Sequence, residues 1–167
     1  MQNEIVNVRN DGDSIGGTVE CAVCGLKPAL GGIYFNSLEG RISNVIFAVP
    51  GVKGIEFGSG FEGSEMLGSQ NNDAFYYDAC GEVKTKTNNH GGILGGLSTG
   101  MPLIFRVAFK PTPSIFKEQE SVNLNEKVNE KLIIKGRHDP CIVRRGCVCI
   151  EAAAAVALAE YILPLGI

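Results

Sequence analysis

Segment 131–145 is where this sequence is best equipped for chemistry. Lys131, Lys135, Arg137, Arg144 and Arg145 stand there against a single acid, Asp139. Arg137, His138 and Asp139 follow one another inside a tight frame of Gly136 and Pro140. A guanidinium so placed can grip a phosphate through two parallel N–H bonds, and the imidazole and carboxylate beside it can move protons if their surroundings tune them. The same composition also describes a solvated basic turn. A second element is the run from His90 to Gly100, with five glycines between Gly91 and Gly100. Consecutive glycines let a backbone come close to a planar ring or turn successive N–H groups toward an anion, or else simply form a bend. The third is Lys110-Pro111-Thr112-Pro113-Ser114, a cation beside two hydroxyls on a chain that its prolines keep out of helix and central strand. Together the three suit one anionic, ring-bearing ligand.

Two other patterns lead elsewhere. Gly58-x-Gly60-x-x-Gly63 after an expected strand has the spacing of a dinucleotide-binding turn, but Glu62 and Glu65 put carboxylates where a pyrophosphate needs positive potential. Turn or bulge glycines are the better reading. Cys21-x-x-Cys24 with Cys147-x-Cys149 offers four thiolates, yet Cys21 and Cys24 fall on an expected strand that points them to opposite faces. Free thiols, with no metal, are expected.

Positioning these groups requires a framework, and its elements are partly visible. A strand is expected over 16–26, a helix over 37–49 and a strand over 52–57. The helix carries Leu38, Ile42, Val45, Ile46 and Val49 at helical spacing, with a stop at Pro50-Gly51. A strand over 102–109, another over 131–134 and a helix over 148–163 follow. The last helix is apolar nearly all round, the mark of one buried between layers. Residues 1–13 read as polar chain ending in a turn. Antiparallel strands separated by turns, with two long apolar helices, define an α+β fold of sheets packed on buried helices. With 167 residues, 44% hydrophobic and a net charge of -3, the chain is long and apolar enough for one domain and has no global attraction to nucleic acid. Ile150 to Leu163 is too short and too interrupted by Glu151 and Glu160 to span a membrane. The first residues carry no secretory pattern, and a cytoplasmic location is expected.

Gly12-Asp13-Ser14-Ile15-Gly16-Gly17, the stretch Val52 to Phe61, Gly68 to Asp73, the Asn88 to Gly100 run, Lys110 to Ser114 and Arg137-His138-Asp139-Pro140-Cys141 occur in this order. In that order and over nearly the whole chain, the sequence resembles the C-terminal half of a chorismate synthase. The resemblance implies a partial β-α-β sandwich over residues 1–167. It implies the lyase that removes phosphate from 5-enolpyruvylshikimate 3-phosphate with reduced FMN, in a homotetramer, with NADPH involved only where an enzyme reduces its own flavin. Carried over by motif, the flavin contacts fall on Pro50, Gly51, Gly95, Lys110, Pro111, Thr112, Pro113, Ser114 and Arg137, and the catalytic carboxylate on Asp139. Where other members carry Asn-Ala, this chain has Pro50-Gly51. The Gly-Glu-Ser-His-Gly and Arg-Ser-Ser-Ala-Arg-Glu-Thr motifs of the family's N-terminal half, its two acid histidines and most of its substrate arginines have no match in this sequence. His90 and His138 are not their equivalents. A chain with this content is expected to be inactive alone, and the alternative is a non-catalytic module that binds flavin or a partner.

Overall fold

A computed structural model describes residues 1–163. In chain order the elements are α1 (Gln2–Asn10), β1 (Gly17–Val23), α2 (Leu38–Ile46), β2 (Val52–Phe57), α3 (Gly68–Asn71), β3 (Phe75–Tyr77), β4 (Val83–Thr85), β5 (Ile93–Leu94) and β6 (Leu97–Ser98). The series continues with β7 (Leu103–Phe109), β8 (Gln119–Asn123), β9 (Val128–Leu132) and α4 (Val143–Ile162). The central sheet is antiparallel in the order β1-β7-β2, and the other strands pair as three small hairpins. This is the expected α+β class.

β7 organises the molecule. Its odd-numbered side chains, Leu103, Phe105, Val107 and Phe109, are buried, while Ile104, Arg106 and Ala108 are half-buried on the other face, the period-2 pattern of a strand covered mainly on one side. The covering layer is α2 and α4. In α2, Ser37 caps the first turn by accepting the Gly40 N–H at 3.0 Å. Leu38, Ile42 and Ile46, four apart, form one fully buried stripe. In α4, Val143, Gly146, Ile150, Ala153, Ala154, Ala157 and Leu158 make the buried face.

Four expectations change. Residues 2–10 form a helix; α1 buries none of its residues, so no apolar periodicity announced it. α4 starts at Val143, five residues early, and takes Gly146 into its first turns. A Cβ at Gly146 would lie 2.7 Å from the Phe109 ring, so the glycine that weakened the helical pattern is the residue that lets helix and strand touch. The expected strand over 131–134 is observed at 128–132 and pairs with β8, Glu120 facing Lys131. Finally, α4 is buried on one face only: Val148 (66% exposed) and Val156 (63%) lie open on the other. The glycines after β2 serve a turn, as expected; Gly60–Glu65 is a 3-10 helix whose Phe61 N–H donates to Glu56.

Candidate functional site

The end of β7 delivers the chain to Lys110, whose N–H donates to the Gly51 carbonyl at 2.9 Å. That single bond brings the turn after α2, with Pro50 exposed on it, to the start of the 110–114 segment. Opposite lies the loop that leaves α1. Ser14 Oγ donates to the Thr112 carbonyl at 2.6 Å, and the Phe116 N–H donates to the Gly12 carbonyl at 2.9 Å. Lys117 reaches both Asp11 (2.6 Å) and Asp13 (2.9 Å). The Lys117 bond, followed by the Ser14 N–H, holds the Asp13 carboxyl below its ordinary value, and the bonds to Asp11 and Asp13 push the Lys117 ammonium up.

The 137–141 segment closes the third side. The Ile15 N–H donates to the Pro140 carbonyl at 2.8 Å, and the His138 ring meets Phe116 edge-on, centroids 4.9 Å apart. His138 Nε2 lies 2.9 Å from the Ile134 carbonyl. A carbonyl only accepts, so Nε2 carries the proton and Nδ1 is the free nitrogen of the neutral ring. Asp139 is held at both oxygens: Oδ1 accepts the Cys141 N–H at 3.1 Å and Oδ2 accepts Arg145 at 2.5 Å. Arg145 stands in the first turn of α4, which is how the early start of that helix reaches the site.

These segments enclose an open cavity of about 670 Å³ lined by Arg9, Arg137, His138, Asp139, Pro140 and Arg145. A smaller recess of about 160 Å³ shares Arg9, Arg137 and His138 and adds Asp13, Ser114 and Phe116. Thr112 Oγ1 is buried with no hydrogen-bond partner. A buried hydroxyl without a partner costs stability, and this one stands two residues before Ser114, which lines the smaller recess. Cations, hydroxyls and two carboxylates, Asp13 bridged to Lys117 and Asp139 to Arg145, on a concave surface can hold an anion and pass a proton beside it.

Of the expected site residues, Arg137 and Asp139 line the larger cavity and Arg137 and Ser114 the smaller recess, while Gly51 is tied to Lys110 by one hydrogen bond and Pro50, Pro111, Thr112 and Pro113 line neither space. Gly95 lines neither space either. It lies exposed in the β5–β6 turn, whose neighbour Gly92 abuts Pro102 and Leu103 at the start of β7. Seven residues of strand, about 20 Å, separate that end from Lys110. The His90 to Gly100 run is a packing device: a Cβ on Gly91 would lie 2.4 Å from the Gly58 nitrogen, and one on Gly92 2.5 Å from the Pro102 carbonyl. Sequence reasoning missed Arg9, because it missed α1. It saw Arg145 only as charge, because the partner Asp139 was expected before, not within reach of, a helix. Cys21 is half-buried, and burial with the nearby Glu151 pushes its thiol up, away from nucleophilic use.

A family model described as chorismate synthase matches residues 1–163. The chain is 46% identical over 163 residues to the chorismate synthase of Korarchaeum cryptofilum, covering 98% of this chain and 45% of that protein. It is 49% identical to the one from Dehalococcoides mccartyi strain BAV1 (98% and 44%) and 47% identical to the one from Pyrococcus abyssi (98% and 46%). A crystal structure of a chorismate synthase superposes with a TM-score of 0.76 at 29% identity, over 96% of this chain and 40% of the other. The chain thus spans less than half the length of these relatives.

Proposed function

Because the chain belongs to the chorismate synthase family, we propose that it supplies the C-terminal portion of a phospho-lyase that makes chorismate from 5-enolpyruvylshikimate 3-phosphate with reduced FMN. In that 1,4-elimination the C–O bond to phosphate breaks with its electron pair leaving on phosphate, a ring C–H bond breaks, and a new C=C bond forms without net oxidation. The observation that supports the reading is that Arg137 and Asp139 line one cavity and that Arg137 and Ser114 line the recess beside it. The residues fit an anionic ring cofactor: Thr112 Oγ1 lacks a partner, and Arg137 has no carboxylate within 4.0 Å among the described residues.

The flavin, when bound, lends electron density to the breaking C–O bond. In this reading Lys110 and Arg137 neutralise phosphate charge, and Thr112 and Ser114 orient the ligand through their hydroxyls. Asp139, fixed by Arg145 and the Cys141 N–H, holds the carboxylate that takes or returns a proton. Locked geometry is worth more here than the strength of any one contact. Gly95, exposed in the β5–β6 turn, is a flavin contact that the resemblance alone implies. Open apolar side chains on α4 are the kind of surface that a longer chain or a homotetramer covers. Cytoplasmic operation goes with the reading, and no described helix is long and apolar enough to cross a membrane.

The chain has no tryptophan, so quenching of flavin emission is a clean titration. Arg137→Ala should weaken FMN about tenfold, the usual value of a charge-assisted phosphate contact, and unchanged affinity would remove Arg137 from the site. Turnover by the 167-residue chain with reduced FMN should stay near background, since the acid histidines implied by the resemblance are not in it. Near-normal turnover would overturn the division of the site.

A further inference from the structure

We infer that the cavity between α1 and the 137–145 segment receives a phosphate dianion and that Arg9 is the guanidinium that completes it. Three guanidinia, Arg9, Arg137 and Arg145, line this space with one carboxylate, Asp139. That carboxylate is already engaged at both oxygens, by Arg145 and by the Cys141 N–H. Among the described residues neither Arg9 nor Arg137 has a carboxylate within 4.0 Å. Two uncompensated positive charges, delivered by segments more than a hundred residues apart in sequence, therefore face one concavity. Each carries the planar fork that matches phosphate oxygens, and two such forks balance one dianion. At about 670 Å³ the space exceeds a bare ion and suits a small phosphate ester.

The way α1 is held points the same way. It buries no residue fully and reaches the core through the half-buried Ile5, and its exit is pinned by polar contacts beside the cavity. The Asp13 N–H donates to the Val8 carbonyl at 3.0 Å, the Gly12 carbonyl accepts the Phe116 N–H, and Lys117 bridges Asp11 and Asp13. These bonds fix the turn that carries Arg9. Arg9 also stands in the last turn of α1, where any cation is mildly favourable. That role alone would alter helix stability and leave phosphate indifferent to the residue.

The inference rests on the phospho-lyase reading for the origin of its dianion, either the ester phosphate of the substrate or the phosphate of FMN. Its test does not depend on that reading. The full 167-residue chain is titrated with inorganic phosphate and followed by phosphorus NMR line width, for wild type, Arg9→Gln, Arg9→Lys and Arg106→Gln. Arg106 pairs with Glu56 at 2.9 Å on the central sheet and serves as the charge control. Arg9→Gln should lose about tenfold in phosphate affinity, Arg9→Lys about threefold, and Arg106→Gln nothing. The urea midpoint of Arg9→Gln should match wild type, since the side chain is exposed. Phosphate binding equal in Arg9→Gln and wild type overturns the inference, as does an equal loss in Arg106→Gln.

Titrations with FMN and riboflavin identify the source. If Arg9→Gln weakens FMN but not riboflavin, and phosphate competes with FMN, the dianion is the cofactor's. If FMN is indifferent to Arg9→Gln and binds together with phosphate, it is the ester's. Either pattern supports the dianion site. Phosphate binding that needs Arg9, in a chain that binds no flavin, would end the flavin reading and leave this one standing.

Discussion

Asp73 should be the most expensive surface-proximal carboxylate in the chain to remove. It is 7% exposed, and its two oxygens accept the Thr87 hydroxyl at 2.7 Å, the Asn89 N–H at 2.8 Å and the His90 N–H at 3.0 Å. The loop so gathered also donates the Asn88 side chain to the Pro102 carbonyl and accepts the Ser59 N–H, so one carboxylate ties three segments to the start of β7. Asp73→Ala leaves three donors without an acceptor. At about 1 kcal/mol each, the low end for partly buried groups, the loss is about 3 kcal/mol. With a urea slope of about 2 kcal/mol/M, the far-UV dichroism midpoint falls by about 1.5 M.

Asp73→Asn keeps one carbonyl for Thr87 and Asn89 but turns an NH2 toward the His90 N–H, for a smaller loss of about 1–1.5 kcal/mol. Its pH dependence is the sharper measurement. Burial by itself pushes the Asp73 carboxyl up. The His90 N–H, the Thr87 hydroxyl and the Asn89 N–H outweigh it and set the folded pKa below the ordinary 3.8. A depressed folded pKa means that the unfolded chain takes up the proton first as pH falls. The carboxylate's contribution is therefore complete above the unfolded value and lost as pH drops through the folded one. The deficit of Asp73→Asn against wild type should be constant above about pH 5 and narrow below about pH 4. A deficit flat through the acid range, or an Asp73→Ala midpoint within about 0.3 M of wild type, would refute the reasoning.

Two other substitutions probe how the framework meets the site. Gly146→Ala gains about 1 kcal/mol of helix propensity but drives a Cβ to 2.7 Å from the Phe109 ring. Overpacking of about 1–3 kcal/mol wins, and the melting temperature should drop by about 2–6 °C; a rise would mean that Phe109 yields freely. Ser14→Ala removes the 2.6 Å bond to the Thr112 carbonyl and should cost about 1 kcal/mol or less in urea, while FMN affinity falls about threefold to fivefold. Equal FMN binding by this variant would show that the 110–114 segment holds its shape without the bridge.

The parts of this fold that were legible in the sequence are those whose information is local. β7 announces itself by the alternation of Leu103, Phe105, Val107 and Phe109 with smaller or polar residues. α2 does so by Ser37 before a stripe of Leu38, Ile42 and Ile46, and the 110–114 segment by its prolines. What stayed hidden depends on contacts distant in sequence. α1 reaches the core through the half-buried Ile5, with none of its residues fully buried, and its exit is secured by Lys117, about a hundred residues away. The start of α4 is obscured by Gly146, a poor helix residue retained where Phe109 presses against the helix. For the site, segment 131–145 and the lysine loop could be singled out from residue type alone. Arg9 could not, because nothing near it in sequence says what it faces.

The two ends of β7 are built on different physics, and this bears on what the site can do. At the Leu103 end, Gly58, Gly91 and Gly92 bring backbones into direct contact at distances a Cβ would forbid, and Asp73 anchors the result, so that end resists opening. At the Phe109 end Gly16 and Gly146 also press closely on Phe109, but the loops beyond it are joined by exposed ion pairs and single loop-to-loop hydrogen bonds such as Ser14 to Thr112 and Ile15 to Pro140. Exposed pairs contribute little each and weaken with salt, so these loops belong to the part of the molecule that opens at low free-energy cost. An anion that bridges Arg9, Arg137 and the 110–114 segment would join three otherwise loosely tied pieces, and its binding free energy would be reduced by the cost of ordering them. Were such an anion bound, occupancy of the cavity and rigidity of the loops would be one equilibrium, set by residues that lie outside the hydrophobic core.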